Sequence, residues 1–248
     1  MSGPKSVQTG PLQAVVVLVG LLFCLMLLVG CGHKKSTKIS VPPAPPISGA
    51  PAEPRSPSDL DFPADAQPIY VETGIASWYG PPYHNRRSSN GEIFDTYKMT
   101  AAHRTLPLNS VARVTNVKTG RTAVVRITDR GPFIEGRMLD LSLAAAKAVD
   151  VWRPGLAKVK LEVMHTPTPI ESGGRWCVQI GAFEDKQHAT RLKEKLTRRY
   201  RTARVLQFTG PTGDWLRIRV AEDDKKRAEE VAQSTTTSQG SIFLVRLD

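Results

Sequence analysis

The sequence predicts a small, mainly β barrel followed by an α+β module. Three observations predict it. Between residues 69 and 164, short β-branched runs alternate with turn residues, and one short helical stretch interrupts them. From residue 175 the pattern runs strand, helix, strand, strand, helix, strand. The segments before and between these regions are rich in Pro, Ser and Gly, with too few apolar side chains to fold by themselves.

In the first region, 111–117 alternates around Arg113 and Thr115, 122–128 is β-branched, and 158–163 alternates Lys and Glu with Val and Leu. Asn116-Val-Lys-Thr-Gly120 supplies a turn between the first two. An Ala-rich helix is expected over 141–149, capped by Asp140 or by Ser142. Short strands, many turns and one small helix suit a compact barrel. In the second region, 175–183 reads as a strand. Asp185 caps a helix whose Ala189, Leu192, Leu196 and Tyr200 recur at helical spacing. Strands at 203–208 and 215–220 follow, Asp223 opens a helix carrying Ala228, Val231 and Ala232, and 242–247 closes the series. That order implies a four-stranded sheet with both helices on one face and the other face free to bind. Strand alternation sends Leu216, Ile218 and Val220 toward the helices, and Trp215, Arg217 and Arg219 the opposite way. Gln179 and Cys177 likewise oppose Val178 and Ile180.

The chain has 248 residues, a formal charge of +11 and a pI near 9.8. A basic balance favours anionic partners: nucleic acid, phospholipid headgroups or an acidic wall polymer. No RNP-type aromatic motif, zinc-finger spacing or Gly-Lys phosphate loop occurs, so no nucleic acid is expected among the partners. His84, His103 and Asp129 are metal-capable residue types, but no His-Glu-x-x-His or comparable close pair exists. Neither a metal nor another cofactor is expected.

Residues 14–29 form an apolar run preceded by Lys5, short for a membrane span and suited to a signal-peptide core. The run ends Leu28-Val29-Gly30-Cys31, with Lys34 and Lys35 beyond it. Cys24 lies inside the run, so Cys177 is the one thiol expected besides Cys31, and no disulfide framework is possible within one mature chain. Pro42, Pro43, Pro45 and Pro46 favour an extended, semi-rigid backbone. The expected organisation is a leader at 1–30, a tether at 31–68, the barrel at 69–164, a linker at 165–173 and the α+β module at 174–248.

Four positions in the barrel carry candidate chemistry. Asp129 ends a β-branched run and is followed by Arg130-Gly131-Pro132. Both a turn acid and a proton-transfer group fit that context. Glu92 follows the turn signal Asn90-Gly91. Its plain alternative is an exposed loop carboxylate. His103, in Thr-Ala-Ala-His, suits a core histidine bonded to backbone as well as a residue that orients a carboxylate or a sugar. Tyr79, with Trp78 and Tyr83, offers aromatic faces on which sugars stack, though Trp78 equally suits the core.

Three motifs go further. They are Gly74-Ile-Ala-Ser-Trp-Tyr-Gly80; Ser89-Asn-Gly-Glu-Ile-Phe-Asp95, continuing to Thr100-Ala-Ala-His-Arg-Thr-Leu-Pro107; and Arg126-Ile-Thr-Asp-Arg-Gly-Pro-Phe133 with Gly136-Arg-Met-Leu-Asp-Leu-Ser142. Together they resemble the double-psi β-barrel of the rare lipoprotein A family of septal lytic transglycosylases. Trp176-Cys-Val-Gln-Ile-Gly-Ala-Phe183 and Trp215-Leu-Arg-Ile-Arg-Val220 resemble the sporulation-related repeat (SPOR) domain. One departure is 149–155, a longer link from the helix to the last barrel strand than the family's usual one.

The resemblance implies cleavage between N-acetylmuramic acid and N-acetylglucosamine, with the muramyl C6 hydroxyl attacking its own anomeric carbon. Because the nucleophile belongs to the substrate, one carboxyl group can serve as acid and then base. Asp129 is expected in that role, Glu92 as the second carboxylate whose charge keeps it protonated, and His103 as a hydrogen-bond partner. Arg130 is expected to turn away from Asp129 and pair with Asp140. The resemblance also implies lipidation of Cys31, outer-membrane delivery permitted by Gly32, a location facing the periplasm at the division septum, and binding of peptide-stripped (denuded) glycan strands by Gln179, Trp215, Arg217 and Arg219. Two rival readings use the same residues: a non-catalytic, expansin-like wall binder, and a scaffold for other division-septum proteins.

Overall fold

A computed structural model of the chain describes Phe62, residues 66–210 and residues 212–248. The expected leader, Cys31 and nearly all of the expected tether lie outside the described residues. No helix among the described residues is long and apolar enough to cross a membrane.

Six strands close the barrel: β1 (Tyr70–Trp78), β2 (Thr100–His103), β3 (Val111–Asn116), β4 (Thr122–Asp129), β5 (Arg137–Leu141) and β6 (Ala157–His165). Their order around it is β1-β5-β2-β4-β3-β6. The β1–β5 and β2–β4 pairs are parallel and the others antiparallel, the double-psi arrangement. Ala76, Ala101 and Ala112 point inward with Val114, Val125, Ile127, Leu139, Leu161 and Val163. Small residues among branched ones let so narrow a barrel fill without voids. Of these strands, β1, β2 and β5 were not singled out from the sequence. Thr-Ala-Ala-His of β2 and Met-Leu-Asp-Leu of β5 are buried at every position, which erases the alternation that marks a half-buried strand.

The turn expected after β3 is built by Asn116. Its side-chain oxygen accepts from the amides of Lys118 and Thr119, and its Nδ2 donates to the Val149 carbonyl at 2.8 Å. Val149 ends helix α1 (Leu143–Ala148), so one buried amide ties the hairpin to the helix. Of the two candidate caps, Ser142 accepts from the Ala145 amide, while Asp140 belongs to β5.

The second module contains β7 (Trp176–Phe183), α2 (Lys186–Arg199), β8 (Arg204–Gly210), β9 (Gly213–Arg219), α3 (Lys225–Ser234) and β10 (Ser241–Arg246). The antiparallel sheet has the order β10-β7-β9-β8. Ala189 and Leu196 of α2 and Ala228 and Val231 of α3 pack on Val178, Ile180, Leu216 and Ile218, which places both helices on one face. Asp185 caps α2 by accepting from the Gln187 amide. The α3 cap is Asp224 rather than Asp223. Asp224 accepts from the Arg227 amide, whereas Asp223 is buried against Arg219.

The opposite sheet face, which alternation in β7 and β9 alone predicts to be free, is covered. Strand β10 adds Phe243 and Val245 beside Cys177 and Trp215, and the resulting apolar surface packs against Phe133 of the barrel. The Phe133 ring lies 5.6 Å from Trp215 and 5.8 Å from Phe243 between centroids. Arg104 reinforces the contact. Its guanidinium stacks 5.6 Å from the Phe243 ring and donates to the carbonyls of Pro132 and Arg137. A main-chain bond joins the Arg246 amide to the Arg104 carbonyl at 3.0 Å. The connection from β6 to β7 is pinned as well. Arg246, 1% exposed, donates to the Pro169 carbonyl and the Thr168 hydroxyl.

Trp215 fits against the sheet because position 181 has no side chain. A Cβ on Gly181 would stand 2.7 Å from Cε3 of the indole, at a φ of +145°. Gly181→Ala is therefore expected to destabilise the chain by about 1–3 kcal/mol. A guanidinium melt showing no loss would remove this account of the Trp215 packing.

Candidate active site

A cleft of about 840 Å³ opens where the end of β4 meets the loops beside it. Asp129 is the last residue of β4 and lines this cleft. Its Oδ1 accepts three hydrogen bonds, from the Ser89 hydroxyl at 2.5 Å, the Ser89 amide at 3.0 Å and the Arg130 amide at 2.8 Å. Among the described residues no protein group hydrogen-bonds Oδ2. The carboxyl is thus fixed by one oxygen and presents the other.

Ser89 is delivered by the loop 88–95, and Glu92 holds that loop down. Its carboxylate forms a two-pronged pair with Arg126 of β4, both contacts 2.7 Å, and Arg126 also donates to Asn109. The Asn90 amide bonds the Thr128 carbonyl, which extends the attachment along β4. Hydrogen bonding from Arg126 holds the Glu92 carboxyl below its ordinary value. Its charge is therefore matched where it sits, and Glu92 is not among the residues lining the cleft. The carboxylates that share the cleft with Asp129 are Glu135, which is exposed, and Asp140. Asp140 is buried, takes both contacts from Arg137 at 2.6 and 2.7 Å, and accepts from the Ser77 hydroxyl at 2.6 Å. This occupies the partner expected for Arg130.

Arg130 does turn away from Asp129, as expected, but toward backbone. It donates to the carbonyls of His103, Leu106 and Asp248. His103 shapes the first two of those acceptors. Its Nδ1 accepts from the amides of Thr105 and Leu106, so its proton is on Nε2, which donates to Glu72 at 3.2 Å. Burial pushes the imidazole below its ordinary value, and the His103 hydrogen bond does the same for the Glu72 carboxyl. The contact is a neutral imidazole donating to a carboxylate rather than an ion pair. His103 thus reaches Asp129 only through the turn it holds and the arginine that turn grips. Nothing in the sequence pattern singled out Glu72.

Tyr79 lines the cleft, its ring packed 5.4 Å from Tyr83 and 5.1 Å from Phe94. Its hydroxyl is buried without a partner, a condition that costs about 1–3 kcal/mol unless a ligand or water satisfies it. Burial, with the nearby Asp129 and Asp140 charges, keeps the phenol well above its ordinary pKa and able to donate. Trp78 does both things open to it, lining the cleft while packing on the barrel core.

The sheet module contributes to the same cleft. Gln179, Trp215 and Arg217 all line it, although Gln179 and Trp215 are only 2% and 4% exposed. Arg217 donates to the Gln179 side chain at 3.0 Å and stacks 5.2 Å from the Phe208 ring. Arg219 is elsewhere, held by Asp223 through its Nε and Nη2. Among the described residues no cluster of three or more His, Cys, Asp or Glu is placed to hold a metal ion.

Two outcomes are expected from these contacts. Glu92→Gln should speed amide exchange at Ser88, Ser89 and Asn90 by about tenfold, roughly one charge-assisted hydrogen bond, while α2 is unaffected. Unchanged exchange would mean that Glu92 does not hold the loop. His103, depressed by burial, contributes stability that is complete above the unfolded imidazole value of about 6.5 and is lost as pH falls below it. Melting temperature should accordingly drop on acidification from about pH 7 to about pH 5, more steeply in wild type than in His103→Gln. Parallel curves would contradict the neutral, buried assignment.

Residues 71–161 match the family described as lytic transglycolase, and residues 172–242 match the SPOR domain. The endolytic peptidoglycan transglycosylase RlpA of Vibrio cholerae is 51% identical over 102 residues, 41% of this chain and 39% of that protein. The Campylobacter jejuni protein of the same name is 38% identical over 160 residues, 55% of this chain and 57% of that one. The Neisseria meningitidis protein of that name is 48% identical over 122 residues, 48% and 51% of the two chains. The chain spans about half the length of the curated relatives it matches. Among solved structures, the apo expansin of Clavibacter michiganensis is 16% identical with a TM-score of 0.33, covering 59% of this chain and 78% of the expansin. On these matches the barrel belongs to the lytic transglycolase family and the second module to the SPOR family, and the chain is similar to the RlpA proteins.

Proposed function

We propose that this chain cleaves peptide-stripped peptidoglycan strands as an endolytic transglycosylase. The observation that carries the reading is Asp129: a carboxyl fixed through Oδ1 at a strand end, with Oδ2 unpartnered in a cleft large enough for a glycan. The names of the relatives support the reaction class.

In this reading the bond between the muramyl anomeric carbon and the glucosamine O4 breaks as Asp129 gives its proton to O4. The muramyl C6 oxygen bonds to the same anomeric carbon, and its proton passes to the Asp129 carboxylate. The products are a 1,6-anhydromuramyl end and a free O4 hydroxyl, and no water is consumed. The three donors on Oδ1 hold the carboxyl in place, so that both transfers run through Oδ2. Glu92 and His103 act as positioning residues, through Ser89 and through Arg130. Tyr79 donates its hydroxyl to the sugar, and Gln179, Trp215 and Arg217 contact the strand. Arg219 serves the sheet itself.

The wider setting belongs to the same proposal. The leader ends at residue 30, lipidated Cys31 anchors the chain in the outer membrane facing the periplasm, and 31–68 is a tether. The barrel spans 69–164 and the SPOR domain 174–248. SPOR recognition of denuded glycan concentrates the protein at the division septum, where strand cleavage helps daughter cells separate and where division proteins are possible partners.

Incubation of denuded glycan with purified protein should release anhydromuramyl products detectable by mass spectrometry. Asp129→Asn should reduce their rate about 10²–10⁴-fold, the range of a general acid–base group. Binding without product in the wild type would identify a wall binder instead. Full activity in the variant would sink the assignment of Asp129.

A further inference from the structure

Resting on that reading, we propose that the SPOR sheet is a wall of the catalytic cleft. A glycan strand being cut would then be held by barrel and sheet together, not captured by one module and passed to the other.

The cleft lining is continuous across the two modules. Tyr79, Tyr83, Arg86 and Asp129 come from the barrel, and Phe208 and Arg217 from the sheet. Each wall offers an aromatic face with a guanidinium over it: Arg86 lies 6.0 Å from the Tyr83 ring, and Arg217 lies 5.2 Å from the Phe208 ring. Such pairs suit a sugar chain whose muramyl residues, once stripped of peptide, carry a free carboxylate. Each wall also has a buried polar atom with no partner, the Tyr79 hydroxyl on one and Arg217 Nε on the other. Buried donors of this kind are ordinarily satisfied, and a ligand spanning both walls would satisfy these two.

The arrangement is held by packing away from the reacting carboxyl. Phe133 is inserted between Trp215 and Phe243, Arg104 covers Phe243, and the Arg246 amide bonds the Arg104 carbonyl. A sheet buried to this extent cannot offer Gln179 and Trp215 to a separate strand while docked. Either the docked form works on a strand lying in the shared cleft, or it is a closed form that must open.

Bridging the modules separates these alternatives. The Leu108 amide donates to the Asp248 main-chain oxygen at 3.3 Å across the boundary, and neither residue lines the cleft. In full-length protein carrying L108C and D248C, a short bis-thiosulfonate would join the two positions, and reductant would release them. The substrate is a soluble denuded glycan oligomer, read by release of anhydromuramyl ends. The proposal expects the bridged protein to cleave within twofold of the same protein after reduction. Loss of cleavage on bridging, restored by reductant, overturns it and makes docking a closed state.

Binding is read separately, in bridged protein that also carries Asp129→Asn. Arg86→Ala and Arg217→Ala should each weaken binding of the same oligomer about tenfold, the size of one hydrogen bond to a charged group. An effect from one wall only overturns the shared cleft. If the wild type makes no anhydromuramyl product, the enzymatic reading fails, and the binding measurements still decide whether both walls hold the strand.

Discussion

The guanidinium of Arg130 sets three parts of the molecule in register. Its nitrogens reach the carbonyls of His103 and Leu106, in the link from β2 to β3, and of Asp248, beyond β10. Its own backbone amide donates to Asp129. A planar group with donors at fixed angles cannot satisfy all of these unless strand end, barrel turn and sheet module are in place together. The position of Asp129 is therefore a property of the assembled unit and not only of β4. The extended backbone before Gly131-Pro132 ends the strand, and the arginine between them fixes where it ends.

The charges in the cleft are distributed with the same economy. Four carboxylates matter to the site, and three are matched locally: Glu92 by Arg126, Asp140 by Arg137 and Ser77, and Glu72 by neutral His103. Of the four, Asp129 alone both lines the cleft and keeps an oxygen that no protein group hydrogen-bonds among the described residues. Matched carboxylates make good struts, because breaking a buried or half-buried pair leaves an uncompensated charge. Which carboxyl stays open to the cleft follows from which oxygens are already occupied.

Much of this was legible in the sequence. The hairpin of β3 and β4, the last barrel strand and the whole order of the second module follow from alternation and caps, because those elements are half exposed and their pattern survives. Strands β2 and β5 were not legible, since burial on both faces removes the alternation, and β1, interrupted by Gly74, was not singled out either. Alternation also placed Trp215 and Arg217 on the face away from the helices, but not what covers that face, because the covering residue, Phe133, lies on another module. The Gly136-Arg-Met-Leu-Asp-Leu-Ser142 motif held the clue to Asp140, whereas Glu72 lies in an ordinary strand and has no local signature. Glu92 was visible as a residue of interest, but its engagement with Arg126 is a pairing across 34 positions that spacing does not encode.

The pinned connection between the modules has a mechanical consequence. Segments that join independent domains usually act as slack, absorbing displacement before any load passes on. Here Ile170 packs on the barrel core, while Arg246 of the last strand holds Thr168 and Pro169. Tension applied to the sheet module passes with little give into the end of β6 and the barrel wall. The barrel and the sheet module take load together, with little slack in the link between them.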